Sequence, residues 1–227
     1  MDSFEVITFD CYGTLIDWET GIRKAFNDAL AKTGAKTSLD PQVFELYAAE
    51  ERRLENETPH LSYREVLTEA ALAVSREKGW RLSESQASFL AEDLPRWIPF
   101  QDTNPALEAL AKSHSLGILS NIDNDLLAGT LEHLKPKFEI LVTAENVQSY
   151  KPAYPHFNEA RRIIGNRRWL HVAASQYHDI EPCLKLGISA VWVNRKNTPY
   201  SEQRVPVVKD LSQLANHIGS VRSSVKL

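Results

Sequence analysis

Apolar, β-branched segments alternate with amphipathic segments along much of the chain, and this alternation limits the fold more than any other feature. Buried strands are predicted at residues 4–9, 116–119, 138–142, 169–173 and 190–193. Segments with helical spacing separate the later strands, at about 123–133, 153–164 and 180–186. Repeated units of this kind predict an α/β fold in which helices cover both faces of a parallel sheet.

Residues 16–97 differ from the rest, because helical spacing continues there and no strand pattern interrupts it. One amphipathic helix is predicted at about 20–32 and another from Pro41 onward. Capping-box patterns, in which Ser is followed three residues later by Glu or Gln, mark two further helix starts at Ser62 and Ser83. The region is therefore predicted to be an all-helical insert after the first strand.

Charge balance and cysteine content narrow the partners and the compartment. With 26 Lys and Arg against 30 Asp and Glu, the formal net charge is -4, and a net acidic surface attracts neither nucleic acid nor anionic membrane. No apolar run approaches the roughly 20 residues that span a bilayer, and no secretion signal is evident. The two cysteines, Cys11 and Cys183, form no disulfide framework, so a cytoplasmic location is predicted. Residues 225–227 resemble a peroxisomal address only in part, and a loose tail is predicted from about Gly219.

Side chains with chemical capability follow four of the predicted strands. In chain order they are Asp10, Tyr12, Thr14, Ser120, Asn121, Lys151, Ser175, His178 and Asp179. Active sites in parallel sheets lie at the carboxyl ends of the strands, so we expect these groups to converge on one rim. Taken singly, each has an ordinary alternative role as a turn or helix-capping residue, and the prediction rests on their combination.

The combination has a chemical logic centred on Asp10. A carboxylate can attack an electrophilic carbon or phosphorus and form a covalent intermediate. Lys151 favours the charged form of that carboxylate, while Ser120 and Asn121 can hold an anionic substrate or developing negative charge. Asp179 can then activate the water that releases the product.

The order of these residues resembles the haloacid dehalogenase superfamily. Its four motifs are matched by residues 10–15 (DCYGTL), by Ser120, by Lys151, and by Ser175 with Asp179. The resemblance spans the whole chain. It implies a Rossmann-like catalytic core over 1–15 and 98–227, with a helical cap domain over 16–97. It also implies that Asp10 is the covalent nucleophile and that Ser120, Lys151 and Asp179 are catalytic.

Tyr12 divides the members of this superfamily. Its phosphatases carry a second Asp two residues after the nucleophile as a general acid, whereas its L-2-haloacid dehalogenases carry a bulky aromatic there, as this chain does. A phenol with an ordinary pKa near 10 is a poor acid, but a halide leaves without a proton. Ser175 stands where the phosphatases place a magnesium-binding Asp, so neither a metal nor another cofactor is predicted. The resemblance therefore implies hydrolytic dehalogenation of a small, anionic 2-haloacid, with a phosphatase or a member of unassigned substrate as alternatives.

The chain also departs from the dehalogenase pattern. Those enzymes use a cap arginine near the halide, and Ala48 aligns with that position. Arg52, Arg53 and Arg64 lie nearby and could compensate, although the neighbouring glutamates, among them Glu51 and Glu55, favour a solvated helix face.

Six residues are expected to contact the substrate. They are Tyr12, Thr14, Trp18, Asn121, Ser175 and His178. For Trp18 the alternative is packing between cap and core. His178 could move protons near neutral pH or could cap the following helix. An exposed apolar face on the cap would be compatible with a homodimer like those of related dehalogenases.

Overall fold

The computed structural model describes residues 4–34, 42–199 and 204–223. In these ranges one parallel sheet has six strands in the order β3-β2-β1-β4-β5-β6. The strands are β1 Val6–Phe9, β2 Ser115–Ser120, β3 Ile140–Thr143, β4 Trp169–Ala173, β5 Ser189–Val193 and β6 Val207–Val208. The predicted α/β fold and its first five strands are therefore confirmed.

The central strand β1 has four buried residues because helices cover both faces of the sheet. Its last residue, Phe9, is paired with Ile118 of β2 on one side and with Val172 of β4 on the other. This register brings the ends of three strands to the same edge. The sixth strand was not predicted, because it is only two residues long and follows directly on Pro206.

Helices account for the remaining regular structure of the described residues. Those of the insert are α1 Trp18–Thr33, α2 Gln42–Leu54, α3 Tyr63–Glu77, α4 Glu84–Ala87 and α5 Phe89–Asp93, followed by a 3-10 turn at Leu94–Arg96. The others are α6 Thr103–Ala111, α7 Asn124–Leu131, α8 Ala144–Val147, α9 Pro155–Ile164, α10 Glu181–Leu186 and α11 Leu211–Ser223. A π-helical turn at Gln176–Ile180 leads into α10.

The described part of the insert contains helices and no strand of the sheet, as predicted. Both capping boxes form: Ser62 precedes α3 and Ser83 precedes α4. Pro41, where the second helix was expected to begin, lies outside the described residues, and α2 is described from Gln42. The division into a core and a cap at 16 and 97 stays a prediction.

The C-terminal segment is helical where a loose tail was predicted. Helix α11 continues through Gly219 to Ser223, so the prediction of a tail from Gly219 is wrong. Leu211 and Leu214 are buried against the core, and the Leu211 N–H donates to Asp102 Oδ2 at 2.7 Å. This packing stabilises a helix that has little apolar periodicity at its own end. Residues 225–227 lie outside the described residues.

The insert lies over the carboxyl edge of the sheet and is joined to it by hydrogen bonds. The Asp123 carboxylate accepts from the backbone N–H groups of Tyr63 and Arg64, each at 2.9 Å, and so caps the N-terminus of α3 from the core. Tyr150 Oη donates to Leu61 O at 2.9 Å. Within the described ranges, no helix combines the length and apolarity needed to cross a bilayer.

Candidate active site

The strand ends bring two acidic side chains and one lysine together. Asp10 directly follows β1, and Asp179 lies in the π-helical turn after β4. Lys151 Nζ donates to Asp10 Oδ1 at 2.9 Å, to Asp179 Oδ1 at 2.7 Å and to Leu119 O at 2.9 Å. Because an ammonium has three donors, these bonds use all of them and hold Lys151 between the two carboxylates.

The charges of this group stabilise one another in a buried position. The side chain of Lys151 is 1% exposed and that of Asp179 is 0% exposed. Burial by itself disfavours the ammonium, but the carboxylates of Asp10 and Asp179 outweigh it and raise the pKa of Lys151. Burial also opposes the Asp179 carboxylate, yet Lys151 and His171 together lower its pKa well below the ordinary value. Asp179 therefore has little tendency to accept a proton at neutral pH.

The turn after β1 holds the second oxygen of Asp10. Thr14 Oγ1 donates to Asp10 Oδ2 at 2.7 Å and accepts from the Ala174 N–H at 2.8 Å. Gly13 makes this turn at a φ of +91°, a conformation that L side chains rarely adopt. Thr14 is buried beneath Asp10 and does not line the adjoining cavity. Its observed contact is with the Asp10 carboxylate, and the substrate contact predicted from the sequence stays a prediction.

A cavity of about 530 Å³ opens above Asp10, between the sheet edge and the insert. Of the ten predicted site residues, eight line it: Asp10, Tyr12, Trp18, Ser120, Asn121, Lys151, Ser175 and His178. Thr14 and Asp179 lie beneath it. Trp18 lines the cavity and packs on Phe44 of α2 with 6.3 Å between ring centroids, and its contact with a substrate stays a prediction. The cavity has room for a small organic acid next to the Asp10 carboxylate.

Ser175 and His178 form one wall of the cavity. Ser175 Oγ accepts from the His178 backbone N–H at 3.0 Å and lies 3.2 Å from His178 Nδ1. The hydroxyl thus caps the π-helical turn and fixes the ring at the same time. Burial lowers the pKa of His178, so the ring is neutral at pH 7.

A family model described as haloacid dehalogenase-like hydrolase matches residues 7–193. The chain belongs to this family. It is similar to the (S)-2-haloacid dehalogenase of Pseudomonas sp. (strain YL), with 25% identity over 206 residues that cover 89% of this chain and 88% of that protein. The predicted resemblance and the predicted hydrolase class are confirmed at the level of the family.

The chain is also similar to a second dehalogenase in sequence and to a solved dehalogenase in fold. Haloacetate dehalogenase H-2 of Moraxella sp. (strain B) is 26% identical over 212 residues, which cover 89% of this chain and 91% of that protein. The L-2-haloacid dehalogenase of Xanthobacter autotrophicus, solved with chloropropionic acid covalently bound, has the same fold with a TM-score of 0.79. That structure is 19% identical and covers 95% of this chain and 98% of its own.

Tyr12, the second residue after Asp10, contacts both helix α7 and the insert. Its hydroxyl shares a hydrogen bond with Thr130 Oγ1 at 2.8 Å, and its ring meets the edge of Trp97 with centroids 6.1 Å apart. Burial raises the pKa of Tyr12 well above the ordinary phenol value. Tyr12 is therefore even less able to protonate a leaving group than its residue type suggests.

The helix α2 presents both Ala48 and Arg52 to the cavity. Arg52 makes no ion pair within the described residues. Arg53, by contrast, pairs with two glutamates of its own helix region, and Arg64 pairs with Asp125 at 2.5 Å. Of the three arginines that could replace the one missing at Ala48, only Arg52 reaches the cavity.

Glu51 and Glu55 do not lie on a solvated helix face, so that expectation is wrong for both. Glu51 Oε1 accepts from Tyr47 Oη at 2.9 Å and from Tyr63 Oη at 2.7 Å. Glu55 is 7% exposed, and its Oε1 accepts from Asn121 Nδ2 at 3.1 Å. The helical repeat turns both glutamates towards the core while the adjacent arginines face outward or into the cavity opening.

These two glutamates alter the electrostatics of the cavity. Burial raises the pKa of both, and for Glu55 the nearby Glu51 carboxylate adds to the effect. Sequence reasoning missed them because alternating Glu and Arg residues in a helix ordinarily indicate an exposed face. The buried tyrosines at Tyr47 and Tyr63 are the signal that could have identified them.

His171 and Arg195 are two further residues that the sequence did not reveal. His171 lies within β4, where its Nε2 is 3.1 Å from Asp179 Oδ1 and its Nδ1 is 2.8 Å from Thr8 Oγ1. Arg195 follows β5, lines the cavity, and donates two hydrogen bonds to the Asp102 carboxylate, each at 3.0 Å. The one sequence signal for His171 was a polar residue within an otherwise apolar predicted strand.

The donor set at the strand ends does not fit the magnesium site of the family's phosphatases. Lys151 Nζ lies between Asp10 and Asp179 and already pairs with one carboxylate oxygen of each. Ser175, where a metal-binding carboxylate would be needed, is a hydroxyl bonded to His178. A hard cation needs several oxygen ligands, and these residues do not offer them.

Proposed function

We propose that this hydrolase removes the halogen from a small 2-haloacid through an ester intermediate at Asp10. The observation that carries the proposal is the environment of Tyr12. The second residue after Asp10 is a buried phenol whose raised pKa makes it a very weak acid, so a leaving group that departs as an anion without a proton suits this cavity best. The names of the three proteins compared above, which are 2-haloacid or haloacetate dehalogenases, support the same substrate class.

The first step would be a displacement at carbon. An Asp10 carboxylate oxygen attacks the α-carbon, a carbon–oxygen bond forms, and the halide leaves with the electron pair of the carbon–halogen bond. Lys151 and Thr14 orient the carboxylate, since each oxygen keeps a lone pair for attack after accepting one of their hydrogen bonds. Covalently bound chloropropionic acid in the Xanthobacter enzyme supports an intermediate of this kind.

The second step would hydrolyse the ester. Water adds to the Asp10 carboxyl carbon, the bond to the substrate oxygen breaks, and a 2-hydroxy acid departs. Ser120 and Asn121 line the cavity where the substrate carboxylate or the developing oxyanion would lie. Arg52 supplies a cation from the cap side for an anionic group of the substrate.

A paired assay tests this function. The purified protein is incubated with L-2-chloropropionate without added metal, and separately with phosphate esters with and without Mg²⁺. We expect halide and 2-hydroxypropionate in equal amounts, lost in Asp10→Asn and retained in the control Asp28→Asn, whose carboxylate is on the exposed face of α1. Phosphate release that requires Mg²⁺, with no halide release, would contradict the proposal.

The role of Arg52 is tested with a matched neighbour. Arg52→Met is expected to lower kcat/KM for the haloacid by about 10- to 100-fold, because a charge-assisted hydrogen bond contributes about 1.5–3 kcal/mol. Arg53→Met removes the same charge from the same helix without touching the cavity and is expected to retain activity. Equal losses in the two variants would indicate a general effect of charge on α2.

The compartment and assembly belong to the same proposal. A cytoplasmic location is supported by the two cysteines, Cys11 and Cys183, which are buried and unpaired. We propose a homodimer on the basis of the resemblance alone, and light scattering on the purified protein tests it. Neither nucleic acid nor membrane is proposed as a partner, given the net charge of -4.

A further inference from the structure

One ring nitrogen of His178 has no hydrogen-bond partner in the described structure. Its Nδ1 faces Ser175 Oγ at 3.2 Å, whereas its Nε2 is buried and meets no hydrogen-bond partner among the described residues. Buried polar atoms without a partner are uncommon in folded proteins. The described residues hold three, His156 Nδ1, His178 Nε2 and Asp179 Oδ2, and of these three residues only His178 lines the cavity. Because His178 lines the cavity above Asp10, the substrate or its water can supply that partner.

Asp179, the residue expected to activate water, is badly placed for that task. Its Oδ1 accepts from both Lys151 Nζ and His171 Nε2, and the side chain lies beneath the cavity at 0% exposure. The low pKa of Asp179 further weakens it as a base. Its contacts instead suit the task of holding Lys151 in position.

The surroundings of His178 favour a neutral imidazole, because burial lowers its pKa below the ordinary value. In the tautomer whose Nδ1–H donates to Ser175 Oγ, Nε2 carries the lone pair that can take up a proton. Glu55 Oε2 lies 3.8 Å from Nε2, close enough to stabilise an imidazolium once a proton has been taken up. Tyr177 packs against the ring with 4.9 Å between centroids, and the charges that act on the ring are those of Asp10, Arg52, Lys151 and Asp179.

We propose that His178 is the base that takes a proton from the water attacking the Asp10 ester, an inference that rests on the proposed function. Ser175 positions the ring, and Glu55 faces the nitrogen that becomes protonated. The structure thereby separates two tasks: Asp179 and Lys151 organise the nucleophile, and His178 serves the hydrolytic step.

The proposed step moves one proton through the imidazole. His178 Nε2 removes one proton as the water oxygen bonds to the Asp10 carboxyl carbon, which gives a tetrahedral intermediate. The bond from that carbon to the substrate oxygen then breaks, and the departing alkoxide takes the proton from the imidazolium. The Asp10 carboxyl group loses the second water proton to solvent and returns as a carboxylate that contains one water oxygen.

His178→Gln separates ester formation from ester hydrolysis. With L-2-chloropropionate we expect a rapid release of about one halide per active site, followed by turnover at least about 100-fold slower than wild type, as for loss of a general base. Intact-protein mass spectrometry is expected to show a mass gain equal to the substrate less HCl, carried by the peptide that contains Asp10. His133→Gln, whose side chain bonds to Pro95 O away from the cavity, is the matched control with unchanged turnover.

Each result has a distinct meaning. The halide burst shows that the His178→Gln site is folded, and Ser175→Ala, which leaves the imidazole in place but frees the ring, is expected to accumulate less of the ester. Wild-type turnover by His178→Gln, or loss of the burst in a variant whose circular dichroism is unchanged, would overturn the role of His178 in hydrolysis. Absence of halide release by the wild type would instead overturn the proposed function, and this inference with it.

Discussion

Replacing Lys151 with Met removes the only positive charge that contacts two buried carboxylates in the described structure. Methionine fills a similar volume, so the main effect is electrostatic. The Asp179 side chain is 0% exposed and cannot regain water, whereas Asp10 is 12% exposed and opens to the cavity. Leaving a buried charge without its partner costs about 3–5 kcal/mol, and most of that penalty is expected at Asp179.

Thermal and urea unfolding, followed by circular dichroism, measure this effect. For a domain of this size, a loss of about 3–5 kcal/mol corresponds to a Tm decrease of roughly 6–20 °C. Adding Asp179→Asn to Lys151→Met is expected to recover part of the stability, because the buried carboxylate that lost its partner is then absent. Lys24→Met, which breaks an exposed ion pair with Asp28, is the control and is expected to change the Tm much less.

The stabilisation that Lys151 gives to the folded protein depends on pH. In the wild type Lys151 lowers the pKa of Asp179 below its ordinary value of 3.8, so this stabilisation is present above that pH and is lost as the pH falls further. The difference between wild type and Lys151→Met should therefore be largest near neutral pH and shrink in acid. A Lys151→Met protein as stable as wild type at pH 7, or a double variant less stable than the single one, would refute the reasoning.

Three further predictions concern stability. Asp123→Ala should lower the free energy of unfolding by about 1–2 kcal/mol in urea titrations, because the first N–H groups of α3 lose their cap; an unchanged midpoint would contradict this. His156 is buried with a pKa of about 3 against an ordinary 6.5, so stability should fall as the pH drops below about 6.5. His156→Gln should make the fall of stability with pH shallower by about 1.4 kcal/mol per pH unit. An identical slope in the variant and the wild type would show that His156 does not cause the fall. Gly21→Ala should cost about 1–3 kcal/mol despite better helix propensity, because an added Cβ would lie 2.4 Å from the Trp97 ring; a higher Tm would show that the ring can move aside.

The accuracy of the sequence predictions follows the range of the interactions involved. Strands such as β4, and the capping box at Ser62, depend on neighbours along the chain, and both are found where they were predicted. Helix α11 was missed because its stability comes from burying Leu211 and Leu214 on a distant surface. Gly219, which argues locally against a helix, lies in an element that packing elsewhere maintains.

The candidate site shows the same distinction. The order of Asp10, Ser120, Lys151 and Asp179 at predicted strand ends was sufficient to place them on one rim, because parallel strands all end at the same edge of a sheet. Spacing along the chain could not distinguish which of these groups faces open space. Thr14 and Asp179 lie beneath the cavity and contact the other site residues.

Local pattern was thus enough for the α/β architecture and for placing Asp10 directly after the central strand β1, since strand periodicity and motif order are properties of the chain itself. Only the folded structure decided that Glu51 and Glu55 turn inward, that Arg52 alone of the candidate arginines reaches the cavity, and that His178 keeps a ring nitrogen unpartnered. The physical reason is that burial and the distance between charges depend on how α2 packs against the sheet edge. Those two quantities set the protonation of each group and therefore its chemistry.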